Sequence, residues 1–389
     1  MGIVSAVGWT PEAVWAAIER EESGLGPFSL FDSPRCGHVP VGQVKGDPAE
    51  RSGARSGSRT DHLALCAARS AFADARLDAL SETERREIAV VLGTTTGGIL
   101  DSEGFLQRLL LEKRIDAAPL RHHPAASPAN AIARAFGLRG FRATVSTACA
   151  SAATAIALAC DVLHAGEAEI VLAGGADSLA RLTLNGFCSL LNVAADGCRP
   201  FDADRAGLSL GEGAGVLVLE REDHARSRGV PVQGYVAGHG STGDAYHATA
   251  PRPDGSGAVA AMTRALRSAG LEPAAVDYVN AHGTGTLDND LAEGRALRQL
   301  FADRLPAVSS TKRFFGHTLA AAGAIEAIVC ILALQHRRVP ANLGLRRVDP
   351  EIGFAPVAHT QDADLRIALT NSLGFGGSNC SIVLEGTQA

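Results

Sequence analysis

The chain has 389 residues, 46% of them hydrophobic and 20% charged, with a formal net charge of −6 at pH 7. That length and balance describe a globular protein of two halves and exclude a disordered chain. The acidic balance gives no support for nucleic-acid binding. Eight cysteines, none in a Cys-x-x-Cys pair, read as thiols of a reducing compartment. No basic region leads into an apolar run at the N-terminus, so no signal peptide is expected. Met1-Gly2 does not read as a myristoylation start, because Ala6 stands where Ser or Thr is needed. Apolar stretches break before 18 residues, which argues against a membrane span, and a cytoplasmic location is expected.

In chain order, the spacing of apolar residues predicts helices over 11–22 and 61–73, a strand over 87–92, a helix over 129–136 and a strand over 142–147. A helix of small and aliphatic residues follows over 152–163. Strands over 170–172, 215–219 and 234–236 and a helix over 257–269 come next. The remainder adds strands over 276–279 and 306–308, a helix over 289–301, a nearly wholly apolar helix over 320–334, and strands over 367–369 and 380–384. Strands alternating with helices define an α/β protein. Several strands run into glycine loops, at Gly93, Gly174, Gly283 and Gly374, where a fixed backbone exposes the next side chains. A division near Gly229-Val230-Pro231 is expected, giving halves 1–229 and 230–389.

Cys149 lies between the strand ending at Thr147 and the helix over 152–163. Unpaired N–H groups and the macrodipole at a helix start favour an anion. The thiolate is the nucleophilic form of cysteine, so a lowered thiol pKa is expected here. Taken alone, a cysteine at a tight turn reads better as an inert buried thiol. Two histidine motifs reverse that weighing, Asn280-Ala-His282-Gly-Thr-Gly-Thr286 and Ser310-Thr-Lys312-Arg-Phe-Phe-Gly-His317, each entered from an apolar strand. Lys312, five residues before His317, is expected beside the reactive groups. Glu326 falls in the apolar helix over 320–334, where a carboxylate is costly unless paired, and Lys312 is its natural partner.

Three other patterns carry no site. Gly207-Leu-Ser209-Leu-Gly211 fits the hydrolase elbow but has a polar loop before it and a strand after it, the reverse of what that motif needs. Gly238-His-Gly240-Ser-Thr-Gly243 fits a dinucleotide fingerprint, yet no helix follows, and it reads as a loop. His122-His123 has no second ligand cluster and reads as exposed loop histidines, so no metal is expected.

Together these residues resemble the β-ketoacyl-acyl-carrier-protein synthases of type I/II, the decarboxylating condensing enzymes of fatty acid and polyketide synthesis. The likeness covers nearly the whole chain. It includes Thr147-Ala-Cys149-Ala-Ser151, Arg199-Pro-Phe-Asp202, Gly211-Glu-Gly-Ala-Gly215, Asp244-Ala-Tyr-His247, both histidine motifs and Asn371-Ser-Leu-Gly-Phe375-Gly-Gly-Ser-Asn379. It implies a thiolase-like fold, two similar α/β halves forming layered sheets and helices around a central active site. It implies Cys149 as nucleophile with His282 and His317, the charged pair Lys312 and Glu326 beside them, and Phe375 as an aromatic gate. Backbone N–H groups of Cys149 and Phe375 would hold the oxyanion, and Thr284 and Thr286 the phosphopantetheine arm. Phe187 and Thr96 are further substrate-binding positions, Thr96 standing where relatives carry a branched aliphatic gate.

Thiolases use a second cysteine, and type III synthases one His and one Asn. Two histidines therefore indicate decarboxylative condensation of acyl-Cys149 with malonyl-acyl-carrier protein, giving a 3-oxoacyl product. No cofactor of the protein's own is implied, since the arm is carried by the acyl carrier protein. The implied partners are that carrier and a second subunit, in a homodimer or a heterodimer with a related ketosynthase or chain-length-factor subunit. The alternative is a non-catalytic, chain-length-factor-like partner, a type that typically lacks the cysteine. A thiolase acting on coenzyme A is weaker still, its second cysteine being absent from the matching position.

The chain also departs from the family. Relatives have a Val-rich strand ahead of the segment that here is Gly2-Ile-Val-Ser5, so either a shortened first strand or a mis-assigned start is expected, with that strand in a central place. Leu191 stands where the fatty-acid enzymes carry an arginine for carrier docking, leaving Lys113-Arg114 and Arg59 as candidate contacts. Thr96 hints at a different acyl chain, such as a polyketide or polyene intermediate.

Overall fold

The structure is a computed structural model and describes residues 1–302 and 304–387. One five-stranded sheet is built from β1 (Gly2–Val4), β2 (Ala89–Gly93), β3 (Arg142–Val145), β4 (Ile170–Asp177) and β5 (Gly213–Glu220), in the order β1-β5-β4-β2-β3. The second begins with β6 (Tyr235–Gly243), β7 (Tyr278–Asn280) and β8 (Ala307–Ser309). After a ribbon of β9 (Arg338–Val339) and β10 (Gln361–Asp362), it is completed by β11 (Ile367–Gly374) and β12 (Ser378–Glu385), in the order β6-β12-β11-β7-β8. The two orders match strand for strand, with the parallel and antiparallel pairings in the same places. The halves are one topology used twice, which residue identity in the sequence does not reveal.

Among the described residues, the helices that build the core and the site include α1 (Pro11–Glu19), α2 (Arg59–Asp74), α3 (Ser127–Phe136), α4 (Ser151–His164), α5 (Arg181–Ser189), α6 (Ser256–Ala269), α7 (Leu287–Phe301) and α8 (Ala322–His336). Local chemistry starts them where expected: Thr10 caps α1 with Pro11 in its first turn, and Ser58 and Asp61 form a capping box on α2. The helices α4 and α8 lie between the two sheets, sharing one core with Val171 of β4 and Ile382 of β12. The outer faces are covered by α2 and α3 on the first sheet and by α6 and α7 on the second. Packing is close because α4 is rich in alanine; a Cβ on Gly175 of β4 would come within 2.7 Å of the Ala152 methyl. β4 is buried along its whole length and continues through two glycines to Asp177.

Four expectations are corrected. The first strand is an edge strand, paired only with β5, and not central. The segment Gly238–Gly243 is the end of β6, not a loop, because it pairs along β12. Among the described residues one stretch, Leu319–His336, is long and apolar enough to cross a membrane, but 89% of it is buried inside the protein as core. His122 is not an exposed loop histidine, since its Nδ1 meets the buried carboxylate of Asp61 at 2.9 Å.

Candidate active site

The reactive side chains all come from the carboxyl ends of parallel strands, where loops in α/β sheets present functional groups. Between β3 and α4 the chain turns sharply. Ala148 has φ +50°, the Ser151 hydroxyl donates to the Ala148 carbonyl at 2.6 Å, and the Thr147 N–H donates to Ser151 Oγ at 2.9 Å. That turn fixes Cys149, which is 5% exposed. His282 follows β7. Its own N–H and that of Gly283 each donate at 2.8 Å to Glu293 on α7, and Ser310 Oγ donates to the Gly283 carbonyl at 2.7 Å. His317 follows β8, held by its N–H donating to the Ser209 carbonyl at 2.6 Å and its carbonyl accepting from Gly211 at 2.9 Å. Ser209 is thus a buried support for His317, its hydroxyl accepting the Cys198 N–H at 3.0 Å.

His317 Nε2 lies 3.0 Å from Cys149 Sγ, and the His282 ring stands edge-on to His317 with centroids 5.3 Å apart. Lys312 and Glu326 form a buried ion pair close by. The Lys312 charge also acts on both imidazoles. Burial first, and Lys312 second, hold His282 and His317 well below the usual imidazole range, so both rings are neutral. Burial pushes Glu326 up, opposed by Lys312.

The expected lowering of the thiol pKa does not occur. Burial pushes Cys149 up to about 11, outweighing the Lys312 charge and the backbone N–H groups of Phe375 and Cys149, which are directed at the sulfur and pull it down. The resting pair is therefore a thiol donating to a neutral imidazole. Neither histidine Nδ1 has a hydrogen-bond partner among the described residues.

Phe375 follows β11, its ring 5.3 Å from that of Phe187. Gly374 before it allows the approach, since a Cβ there would lie 2.8 Å from the Thr147 carbonyl oxygen. A cleft of about 220 Å³ opens on Cys149, His282, His317 and Phe375, and Phe187, Thr284 and Thr286 also line it. The two threonine hydroxyls are 2.9 Å apart.

Thr96 is not brought to this cleft. It is buried, and its N–H and hydroxyl both donate to Asp177 Oδ1 at 2.9 Å, which gives it a structural role beside the gate assigned to it. Arg59 is corrected. Its guanidinium forks onto the buried Glu212 at 2.6 and 2.9 Å and is not free for a carrier. Sequence reasoning missed Glu293 and Asp177, the carboxylates beneath the loops. The signal for Glu293 was an acid in the first turns of the helix that follows a glycine-rich loop, where loop N–H groups need an acceptor.

The donor atoms of Cys149, His282 and His317 lie within 4.8 Å of one another, a set that metals use. A tetrahedral zinc, however, would hold its sulfur and nitrogen ligands roughly 3.6 Å apart. The 3.0 Å separation of Cys149 and His317 is a hydrogen bond instead.

A cysteine at a helix start, bonded to one histidine and faced by another where two repeated sheets meet, defines an acyl-transferring enzyme of the thiolase-like kind. Residues 1–225 match the family described as "Beta-ketoacyl synthase, N-terminal domain", and residues 233–346 its "C-terminal domain". The chain belongs to the β-ketoacyl synthase family. It is 35% identical over 410 residues to 3-oxoacyl-[acyl-carrier-protein] synthase 2 of Synechocystis sp., covering 100% of this chain and 97% of that protein. With the mitochondrial 3-oxoacyl-[acyl-carrier-protein] synthase of Arabidopsis thaliana it shares 36% over 386 residues, 93% of this chain and 83% of the relative. Among solved structures, the ishigamide ketosynthase/chain length factor superposes with a TM-score of 0.95 at 32% identity, covering 100% of this chain and 98% of that one. A ketosynthase in complex with its chain length factor from Xenorhabdus doucetiae gives 0.87 at 32% identity, covering 99% and 96%.

Proposed function

We propose that the protein is a 3-oxoacyl-[acyl-carrier-protein] synthase that condenses an acyl group held on Cys149 with a malonyl-carrier thioester. The observation that carries this is the 3.0 Å contact of Cys149 Sγ with His317 Nε2, with His282 facing the same space. In the first half, His317 takes the thiol proton as sulfur attacks the acyl thioester. The oxyanion meets the N–H groups of Cys149 and Phe375, each such donor worth about 3 kcal/mol. The arm's sulfur leaves and takes that proton back from His317.

In the second half, Nε2–H groups of His282 and His317 donate to the malonyl carbonyl oxygen. Carbon dioxide leaves, and the electron pair of the broken C–C bond forms the enolate they hold. The enolate carbon attacks acyl-Cys149, and collapse of the oxyanion expels the cysteine thiolate, which takes one proton from solvent, since loss of carbon dioxide releases none. His317 accepts at Nε2 in the first half and donates from it in the second, so its ring changes tautomer between the halves.

Thr284 and Thr286 hold the phosphopantetheine arm, and Phe187 and Phe375 border the acyl chain. Acyl carrier protein is the substrate-bearing partner, and a second ketosynthase-like subunit completes the assembly, as the partnered relatives suggest. Incubation with acyl-carrier donors, read by intact mass, tests this. The expected acyl adduct is absent in Cys149→Ala and discharged by malonyl carrier as a 3-oxoacyl product. A folded protein that no donor acylates, alone or with a partner subunit, would move the chain-length-factor role to the front.

A further inference from the structure

Large apolar and aromatic side chains stand exposed at the mouth of the cleft. Leu191 and Leu287 line it and are 87% and 57% exposed; Tyr246, 55% exposed, stands in the loop between Asp244 and Thr249, which also line it. The charged residues of the lining are acidic, Asp244 and Asp288, and among the described residues no lysine or arginine lines the cleft; the Arg252 guanidinium, 5.9 Å from the centre of the Tyr246 ring, is paired with Asp254 at 3.1 Å.

Leu191 is the strongest sign. The Leu191 N–H donates to the Cys188 carbonyl at 3.0 Å and the Asn192 N–H to the Phe187 carbonyl at 3.2 Å, which places Leu191 just past the end of α5 in a Schellman turn. Its φ is +57°, a left-handed conformation that glycine adopts freely and a leucine does not. Here a bulky apolar side chain is held in a strained backbone and pointed into solvent. Neither folding nor solubility favours that choice over glycine, and strain of this kind collects at functional positions.

An arm that reaches Cys149 through this mouth must be tethered to a body resting on its rim. Resting on the synthase function proposed above, we propose that the carrier protein docks on an apolar rim of Leu191, Leu287 and Tyr246, its own contact surface being apolar rather than an acidic patch met by cations. Of the basic residues expected to meet a carrier, Arg59 is already committed to Glu212, and neither Lys113 nor Arg114 lines the cleft. The rim therefore recognises shape and apolar area, and steering by charge contributes little.

The test compares one acyl group on holo-carrier protein and on N-acetylcysteamine, with wild type, Leu191→Gly and Tyr246→Ser. Leu191→Gly relieves the left-handed strain, so its Tm is expected to equal or exceed that of wild type, which excludes misfolding as the cause of any loss. The expected result is a KM for the carrier-borne donor at least ten-fold higher in Leu191→Gly. The matching change with N-acetylcysteamine is at least five-fold smaller. In wild type, carrier KM should change less than two-fold between 50 and 500 mM NaCl. An equal effect on both donors would reduce Leu191 to part of the cleft wall, and a steep rise of KM with salt would show charge-driven docking; either overturns the proposal. If neither donor acylates Cys149, the synthase function itself fails, an outcome separate from equal acylation by both.

Discussion

The ammonium of Lys312 is buried against the carboxylate of Glu326, fourteen residues along the chain, and its charge reaches the imidazoles of both His282 and His317. One residue thus neutralises a carboxylate in an apolar helix and helps keep two cleft-lining imidazoles uncharged.

Lys312→Ala should destabilise the protein by about 3–5 kcal/mol, because it strands Glu326 in the core. Replacing both partners by Lys312→Met with Glu326→Leu should recover most of that stability without recovering condensation, as chemical denaturation and activity would show. Where Lys312→Met remains folded, loss of its positive charge raises both histidine pKa values. The acid limb of the pH–rate profile then moves to higher pH. An unmoved limb would mean that burial alone keeps the rings neutral.

The two histidines should separate kinetically. His317 touches the thiol and His282 does not. His317→Ala is expected to slow acylation of Cys149 by about 10²–10⁴-fold. His282→Ala should acylate near the wild-type rate but lose decarboxylation and condensation by a similar factor. Stopped-quench mass spectrometry of the acyl-enzyme reads both steps, and equal slowing of acylation in the two variants would contradict the assignment.

Glu293 links pH to the loop that carries His282. Burial raises its carboxyl to about 7, against N–H groups of Gly283 and His282 and the Asn371 amide, which lower it. With the folded value above the unfolded one, its contribution to stability is complete below about pH 4.5 and is lost as pH rises towards 7. The loss is roughly 3 kcal/mol. Glu293→Gln should be less stable at low pH, since one backbone N–H would face the amide NH₂. It should also lack this slope when denaturation is followed from pH 4.5 to 8. Parallel curves for the two proteins would rule out the linkage.

Thr96→Val should cost about 1–3 kcal/mol, by leaving Asp177 short of a hydrogen bond in the core. The preferred acyl chain length should stay the same. Profiling acyl-carrier donors against wild type and variant tests this, and a changed chain preference would support the gate role.

Much of the site was legible in the sequence because its chemistry is written in residue types that are costly elsewhere. Glu326 in an apolar helix needs a cation, and Lys312 is near enough in the chain to be suspected. The strand-to-helix junction at Cys149 and the strand-to-glycine junctions at His282 and Phe375 mark where side chains emerge. The supports were less legible. Asp177 collects N–H and hydroxyl donors from 94–96 and from Ala320, residues far apart in the chain, and no local pattern announces such a convergence.

The α/β alternation, the identity of the nucleophile and histidine motifs, and the need for a charged pair follow from the sequence by itself, since each depends on local periodicity or on the chemistry of a side chain. The tertiary structure alone decided the thiol's pKa, which histidine touches it, the burial of Thr96, the capture of Arg59 by Glu212, and the edge position of β1. Those outcomes depend on desolvation and on contacts between distant segments. A helix start favours a thiolate in water, but around Cys149 the protein has excluded the water, and burial outweighs the helix.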